Sequence, residues 1–176
     1  MKRAALLVSL LLLFVLSGIP AFADLDGANV TVNYLYPEIN DIYQVLGTGT
    51  VTPGGFTVNS FGQHDFTVFP GDLTLTNVAG EDITFSGADF NGYGLVVNSG
   101  GTAITGVTIG YNDISGFDLT RVTFDATDVW VNLQGLVTTP GEDLQLDLQF
   151  APEPGSIALL GTGLIAAFGV VRRKLL

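Results

Sequence analysis

The 176-residue sequence predicts an all-β domain, an antiparallel β-sandwich of the jelly-roll or immunoglobulin-like kind, flanked by an N-terminal signal helix and a C-terminal single transmembrane helix. Two observations predict the sandwich. Between residues 24 and 150, about nine or ten short segments alternate apolar and polar residues with a period of two, as half-buried strands do. Nearly every segment is bounded by Gly, Asn, Asp or Pro, which favour turns.

The first and last of these segments show the alternation most clearly. The apolar face of NVTVNYLY consists of Val30, Val32, Tyr34 and Tyr36. The apolar face of DLQLDLQF consists of Leu144, Leu146, Leu148 and Phe150. Between them lie GFTVNSF, DFTVFP, DLTLTNV, ITFSG, GLVVNS, VTIGY, FDLTRVTFDA and DVWVNLQ, which are rich in Thr, Val and Phe and so favour β-structure.

One segment, PEINDIYQVLG, departs from this pattern. Its apolar residues are Ile39, Ile42, Tyr43 and Leu46, which are spaced as on a helix. The segment is too short to be stable as an isolated helix. A brief helix and an irregular sheet edge therefore both remain open.

Charge is distributed very unevenly along the chain. Residues 24–150 contain sixteen acids and a single base, Arg121, while the other five bases lie close to the two ends. A body this acidic repels phosphate backbones and anionic lipid headgroups, which argues against nucleic-acid binding and against peripheral membrane contact. The absence of cysteine excludes disulfides, thiolate metal sites and a cysteine nucleophile.

Residues 1–23 have the features of a signal peptide. Lys2 and Arg3 precede a leucine-rich apolar run, and Ala21 and Ala23 form the small-x-small pattern that signal peptidase accepts. We expect export through the Sec translocon and cleavage after Ala23. An uncleaved N-terminal membrane helix is the alternative.

The C-terminal segment, residues 151–176, has three parts. Pro152, Glu153 and Pro154 interrupt regular structure, because each proline lacks an amide donor. The uncharged residues 155–171 would form a helix roughly 25 Å long, at the short end of a membrane span. The stop-transfer basic cluster, Arg172, Arg173 and Lys174, then places the C-terminus in the cytoplasm. These features predict a single-pass membrane anchor with the acidic body outside.

This combination of PEP, an apolar helix and a terminal basic cluster resembles the PEP-CTERM sorting signal of Gram-negative bacteria. The resemblance implies that the C-terminal helix lies in the inner membrane, where an exosortase recognises Pro152, Glu153 and Pro154. It implies that the protein then moves to the cell surface or outside the cell. It also implies a link to exopolysaccharide and biofilm matrix. Cleavage of the helix and retention as a plain anchor both remain open. The opening DLDGANVTVNYLYP is similar to small exported PEP-CTERM proteins, which bring no known active site with them.

Catalytic chemistry has little support in the sequence. His64 is the single imidazole, and we expect an exposed or turn histidine there. A triad would need a nucleophile and an acid beside His64, but Asp65 as its strand neighbour would point to the opposite face. Acid pairs that could serve a glycosidase arise by chance in so acidic a chain.

Binding chemistry has two candidate locations. Trp130 alternates with polar residues in DVWVNLQ, so it is either a carbohydrate-stacking ring on the polar face or a covered core residue. Three acid pairs are candidate calcium ligands, although they more commonly serve as solvated turn acids. They are Asp24 with Asp26, Asp125 with Asp128, and Glu142 with Asp143.

The sequence therefore predicts three domains or segments: a signal peptide (1–23), an acidic β-sandwich (24–150) and a sorting signal (151–176). We expect a non-enzymatic, exported surface or extracellular-matrix protein with no cofactor and no metal site. A carbohydrate- or calcium-binding module is the first alternative, and a hydrolase acting on polysaccharide is the second. Expected partners are signal peptidase, the Sec translocon, an exosortase and exopolysaccharide.

Overall fold

A computed structural model describes residues 23–151 and the single residue Gly163. Within these residues, the chain forms twelve β-strands and one turn of 3₁₀ helix at Leu119–Arg121. The strands are β1 (Asn29–Leu35), β2 (Ile42–Thr50), β3 (Phe56–Ser60), β4 (His64–Val68), β5 (Asp72–Asn77), β6 (Ile83–Thr84), β7 (Gly92–Ser99), β8 (Ile104–Asn112), β9 (Val122–Phe124), β10 (Asp128–Asn132), β11 (Val137–Thr138) and β12 (Asp143–Phe150).

The strands form two five-stranded sheets and one small ribbon. The first sheet has the order β2-β1-β7-β10-β9, and the second has the order β3-β4-β5-β12-β8. The ribbon pairs β11 with β6. Every one of these pairings is antiparallel, so the predicted all-β antiparallel fold is confirmed.

The buried faces of the two sheets contribute to one hydrophobic core. Alternate residues are buried along β4, β5, β10 and β12, as the period-two pattern predicted. The rings of Phe66 on β4 and Tyr93 on β7 lie 5.6 Å apart and connect the second sheet to the first. The core includes Val30, Val32, Phe66, Val68, Leu73, Leu75, Tyr93, Leu95, Val129, Val131, Leu144 and Leu146.

The segment with helical spacing is a sheet edge. Ile42 to Thr50 form β2, the edge strand of the first sheet, and its pairing with β1 shifts register at two points. The helical alternative is therefore wrong, and the irregular edge is confirmed. The apparent helical spacing arises because the register shifts interrupt the normal alternation. Ile42, Tyr43 and Val45 remain more than half exposed.

The irregularity lies in β2, and β1 keeps its alternation from Val30 to Leu35. The register shifts after Val32 and again before Leu35. Asn33 and Leu35 lie on the outward side of the sheet, as the alternation of β1 requires, and both are nevertheless buried. Tyr34 stays on the inner side, opposite Tyr93, and Tyr36 lies beyond the end of the strand.

The compact unit that contains both sheets spans Asp24–Ala151. Most of the predicted signal peptide (1–23) and of the predicted C-terminal helix (155–171) lies outside the described residues. In the part of the chain that the structure covers, no helix has the length and apolar character needed to cross a membrane.

Candidate functional sites

The predicted sorting residues lie just beyond the end of the folded body. β12 ends at Phe150, and the backbone N–H of Ala151 donates to the carbonyl of Ala103 at 2.8 Å. Pro152 is therefore the next residue after the last backbone hydrogen bond of the second sheet. Of the predicted processing residues, Ala23 lies within the described part of the chain. The others lie outside it, as Pro152 does; they are Ala21, Glu153, Pro154, Arg172, Arg173 and Lys174.

His64 is a core residue, so the expectation of an exposed or turn histidine is wrong. It opens β4 and is only 1% exposed, because it shares the inward face of that strand with Phe66 and Val68. Burial lowers the pKa of the imidazole from 6.5 to about 4, and the ring is therefore neutral at pH 7. Asp65 lies on the opposite face, as its neighbouring position required.

The hydrogen-bond partners of His64 are structural. Its Nε2 atom lies 2.8 Å from Oγ1 of Thr138. The amide of Asn77 donates to the Thr138 carbonyl at 2.9 Å, so the three side chains connect β4, β5 and β11. A catalytic triad also places a hydroxyl at Nε2, but it needs a carboxylate at Nδ1 as well. Among the described residues, the side-chain hydrogen bond of His64 is to the hydroxyl of Thr138, with no carboxylate partner.

Trp130 faces away from the core and is partly covered. Val129 and Val131, its neighbours on β10, are buried on the inner face. Trp130 pairs with Gly94 of β7, and a Cβ atom at Gly94 would lie 3.3 Å from Trp130 Cδ1 and 2.9 Å from Leu35 Cδ1. The indole and Leu35 therefore occupy the space above Gly94, so the ring is packed against the sheet and is not a free-standing sugar platform.

One acid of each predicted pair accepts a hydrogen bond from a backbone amide. Asp125 Oδ1 accepts hydrogen bonds from the N–H groups of Thr127 and Asp128, both at 2.8 Å. These bonds lower the pKa of Asp125. Asp24 Oδ1 accepts from the Asp26 N–H at 2.9 Å, and Glu142 Oε2 accepts from the Thr139 N–H at 2.7 Å. Such carboxylates stabilise turns. Across the described residues, no three His, Asp or Glu side chains converge as metal ligands.

A broad polar depression surrounds Arg121, the one base of the body. It has a volume of about 690 Å³ and is bordered by the acids Glu38, Asp89 and Asp118. Nη1 of Arg121 donates to the carbonyl of Gln134 at 2.8 Å. This bond ties the arginine to the chain that follows β10.

Four aromatic rings cluster at the β1–β2 end of the body and form what we call the aromatic cleft: Tyr34, Tyr36, Tyr43 and Phe61. Tyr34 lies 5.9 Å from Tyr43 and 5.6 Å from Phe61, measured between ring centroids. Tyr43 lies 6.4 Å from Tyr36 and 6.5 Å from Phe61. All four contacts are edge-to-face, the arrangement that the charge distribution of aromatic rings favours.

Two features of the backbone place the outer rings. β1 and β2 pair directly, which brings Tyr43 alongside Tyr34. Phe61 comes from the turn between β3 and β4 and has a φ angle of 55°, a left-handed conformation that costs a non-glycine residue about 1–2 kcal/mol. The turn therefore holds the Phe61 ring outward, 51% exposed, beside strands of the other sheet.

The inner ring, Tyr34, is fixed by a hydrogen-bond chain. Its hydroxyl donates to Oδ1 of Asn91, and the Asn91 amide donates to the carbonyl of Ser86 at 3.0 Å. Burial raises the pKa of the Tyr34 hydroxyl, and the nearby hydroxyls of Tyr36 and Tyr43 raise it further. Tyr34 accordingly remains a neutral hydrogen-bond donor.

The aromatic cleft opens onto two adjoining depressions. The first, about 470 Å³, is lined by the four rings together with Gln63 and Ser86. The second, about 390 Å³, shares Tyr34, Phe61 and Gln63 with the first and is bordered by Glu81 and Asp82. This site was not predicted from the sequence. The dense run of tyrosines in NYLYPEINDIY was the available signal, whereas Phe61 joins them only through tertiary structure.

Comparison with known families identifies the end of the chain. Residues 151–174 match the family model of the PEP-CTERM protein-sorting motif. The chain carries a PEP-CTERM sorting motif. Because this motif marks exported proteins, the protein is an exported one whose implied processing partner is an exosortase. The PEP-CTERM match begins where the body ends, at Ala151, and leaves the two sheets unassigned. Neither a curated protein nor a solved structure matches the chain.

Proposed function

We propose that this protein is a non-enzymatic surface or extracellular-matrix protein: an acidic β-sandwich that is exported and then sorted by an exosortase. The observation that carries the proposal is the PEP-CTERM match at residues 151–174, which directly follows the last strand of the second sheet. In this proposal the exosortase recognises Pro152, Glu153 and Pro154. The body is the part that is delivered.

The non-enzymatic assignment is supported by how the reactive groups of the body are used. His64 is buried and bonded to a hydroxyl, and Asp125 and Glu142 are bonded to backbone amides of turns. Groups engaged in this way stabilise the fold and are poorly available to a substrate.

The proposed route begins with the signal peptide, residues 1–23, and cleavage after Ala23. The folded body begins very close to that point in the chain, since the N–H of Leu25 donates to the Pro70 carbonyl at 2.9 Å. The C-terminal helix, residues 155–171, then holds the body at the outer face of the inner membrane until sorting. The acidic surface keeps the released protein soluble and away from anionic lipid. The destination is the cell surface or the exopolysaccharide matrix of a biofilm.

Mass spectrometry of the mature protein, isolated from a host that contains an exosortase, tests the route. We expect an N-terminus at Asp24 and a C-terminus that lacks Arg172, Arg173 and Lys174. The variant Glu153→Ala should retain the basic cluster, whereas the control Glu81→Ala, an exposed acid of the body, should be processed normally.

Two results would contradict the proposal. A wild-type mature protein that still carries the basic cluster would leave only a plain membrane anchor. Normal processing in a strain from which the exosortase has been deleted would remove the exosortase as partner.

A further inference from the structure

We propose that the aromatic cleft of Tyr34, Tyr36, Tyr43 and Phe61 binds the sugar rings of an uncharged polysaccharide. The inference concerns the body alone and goes beyond the sorting function. It would survive if the C-terminal motif proved to be only an anchor. Trp130, the ring that the sequence suggested for this role, is packed against its own sheet and is not part of the site.

The exposure of the rings is the first argument. Tyr43 is 65% exposed and Phe61 is 51% exposed, and both lie within 6.5 Å of each other and of Tyr34. Single exposed apolar residues are ordinary on a protein surface, but a contiguous aromatic group around a depression marks an interaction site.

The chemistry of the lining is the second argument. An aromatic ring carries negative charge on its faces, which attracts the weakly positive C–H bonds along the flat side of a pyranose. The hydroxyls at the edge of a sugar need hydrogen-bond partners at the same time. Gln63 and Ser86 supply polar groups beside the rings, and Glu81 and Asp82 supply acceptors in the adjoining depression. Rings with a polar rim suit a sugar better than a purely apolar ligand.

The size of the cleft is the third argument. The two depressions, about 470 Å³ and about 390 Å³, share Tyr34, Phe61 and Gln63 and therefore adjoin. Each volume falls in the range of roughly 300–1,000 Å³ that is typical of small-molecule sites. Two adjoining subsites match consecutive units of a polymer.

The negative charge of the body favours uncharged polysaccharides over anionic ones as ligands. The body contains sixteen acids against Arg121 as its one base, and two of those acids, Glu81 and Asp82, border the second depression. An anionic polymer would be repelled both by the whole body and by this rim, whereas an uncharged polymer would not. The carboxylates remain available to accept hydrogen bonds from sugar hydroxyls.

The cleft is also organised before binding. Tyr34 is held by Asn91, and the Asn91 amide is held in turn by Ser86. The left-handed turn fixes the position of Phe61. Rings that are already ordered lose little conformational freedom on binding, which favours the weak contacts that a sugar makes.

The test is calorimetric titration of the full chain in nanodiscs of zwitterionic lipid. The probes are cellohexaose and the hexamer of β-1,4-linked N-acetylglucosamine, both uncharged, with alginate as the anionic comparison. Two variants remove the outer rings: Tyr43→Ala, and Phe61→Asn, which retains a residue suited to the left-handed turn. Tyr111→Ala and Phe124→Ala are matched controls, because these rings are 53% and 40% exposed and lie outside the cleft.

We expect at least one uncharged hexamer to bind, alginate not to bind, and each cleft variant to weaken binding about tenfold or more. The two controls should retain wild-type affinity. Thermal melting should show that the Phe61→Asn variant is folded, which separates loss of the ring from loss of the fold.

Four results would overturn the proposal. The first is that neither uncharged hexamer binds at 10 mM, a limit on the order of the weakest useful affinities. The second is binding that both cleft variants leave unchanged, and the third is preferential binding of alginate. The fourth is self-association of the wild-type chain that Tyr43→Ala abolishes. The last result would make the aromatic cleft a protein interface.

Discussion

Acid should destabilise the body through the buried imidazole of His64. In the folded protein its pKa is about 4, and in the unfolded chain it returns to 6.5. Because the unfolded state takes up the proton first, the stabilisation from the neutral ring is complete above pH 6.5 and is lost as the pH falls from 6.5 to 4. The difference between the two pKa values corresponds to about 3 kcal/mol of unfolding free energy at pH 4.

The variant His64→Gln isolates this effect. Glutamine does not titrate, and its side-chain amide can replace the imidazole as partner of Thr138 Oγ1. Trp130, the single tryptophan of the chain, reports unfolding of the body by its fluorescence in urea. Between pH 7 and pH 4, the unfolding free energy of the variant should rise by about 3 kcal/mol relative to that of the wild type. Carboxylates that titrate in acid, such as Asp125, are common to both proteins and cancel.

A direct titration of His64 in the wild-type protein tests the same reasoning even if the variant fails to fold. His64 is the only histidine, so its ring proton signal in an NMR spectrum needs no further assignment. We expect its midpoint below pH 5, provided the body is still folded there. A midpoint between 6 and 7, or a wild-type-to-variant difference that does not change with pH, would refute the burial argument.

Two further predictions concern contacts between paired strands, and Trp130 fluorescence in urea measures the stability of the body in both. Asp72 faces Asp147 across β5 and β12, and burial first and Asp147 second raise the pKa of Asp72. The variant Asp72→Asn should therefore stabilise the body by about 0.2–1 kcal/mol at pH 7 and by less in acid. The control Asp41→Asn should have no effect on stability. A Cβ at Gly92 would lie 2.0 Å from the Val131 carbonyl oxygen, so Gly92→Ala should cost about 3 kcal/mol or prevent folding, and an unchanged stability would contradict the packing.

The sequence was sufficient for those parts of the fold in which alternation is uninterrupted. On β10, and on β12 as far as Leu148, every second residue is buried, and the face predicted to be apolar is the one that enters the core; Phe150, after a register shift, is only half-buried. Hydrophobic periodicity is a local property, so it determines which face of a strand is buried without reference to the rest of the chain. The antiparallel class followed from the same strands and their short turns.

The sequence was insufficient where the fold depends on register and on distant partners. A bulge reverses the faces of a strand from that point on, and β2 has two extra residues relative to β1; this is why β2 resembled a helix. His64 was expected at an exposed or turn position, although it alternates with Phe66 and Val68 on the inward face of β4. Its hydroxyl partner, Thr138, lies far along the chain and could not be anticipated.

The boundary between the body and the sorting motif bears on how delivery could work. The residues of β12 that enter the core, Leu144, Leu146 and Leu148, all precede the motif, and the last backbone bond of the sheet is made by Ala151. Cleavage at or after Pro152 would consequently remove none of the core side chains, and break none of the sheet hydrogen bonds, that the structure describes for residues 23–151. Since the core and the sheet hydrogen bonds of the described body are complete at Ala151, we expect the body to retain its stability after processing. The aromatic cleft, built from β1, β2 and the β3–β4 turn, would reach the cell surface intact.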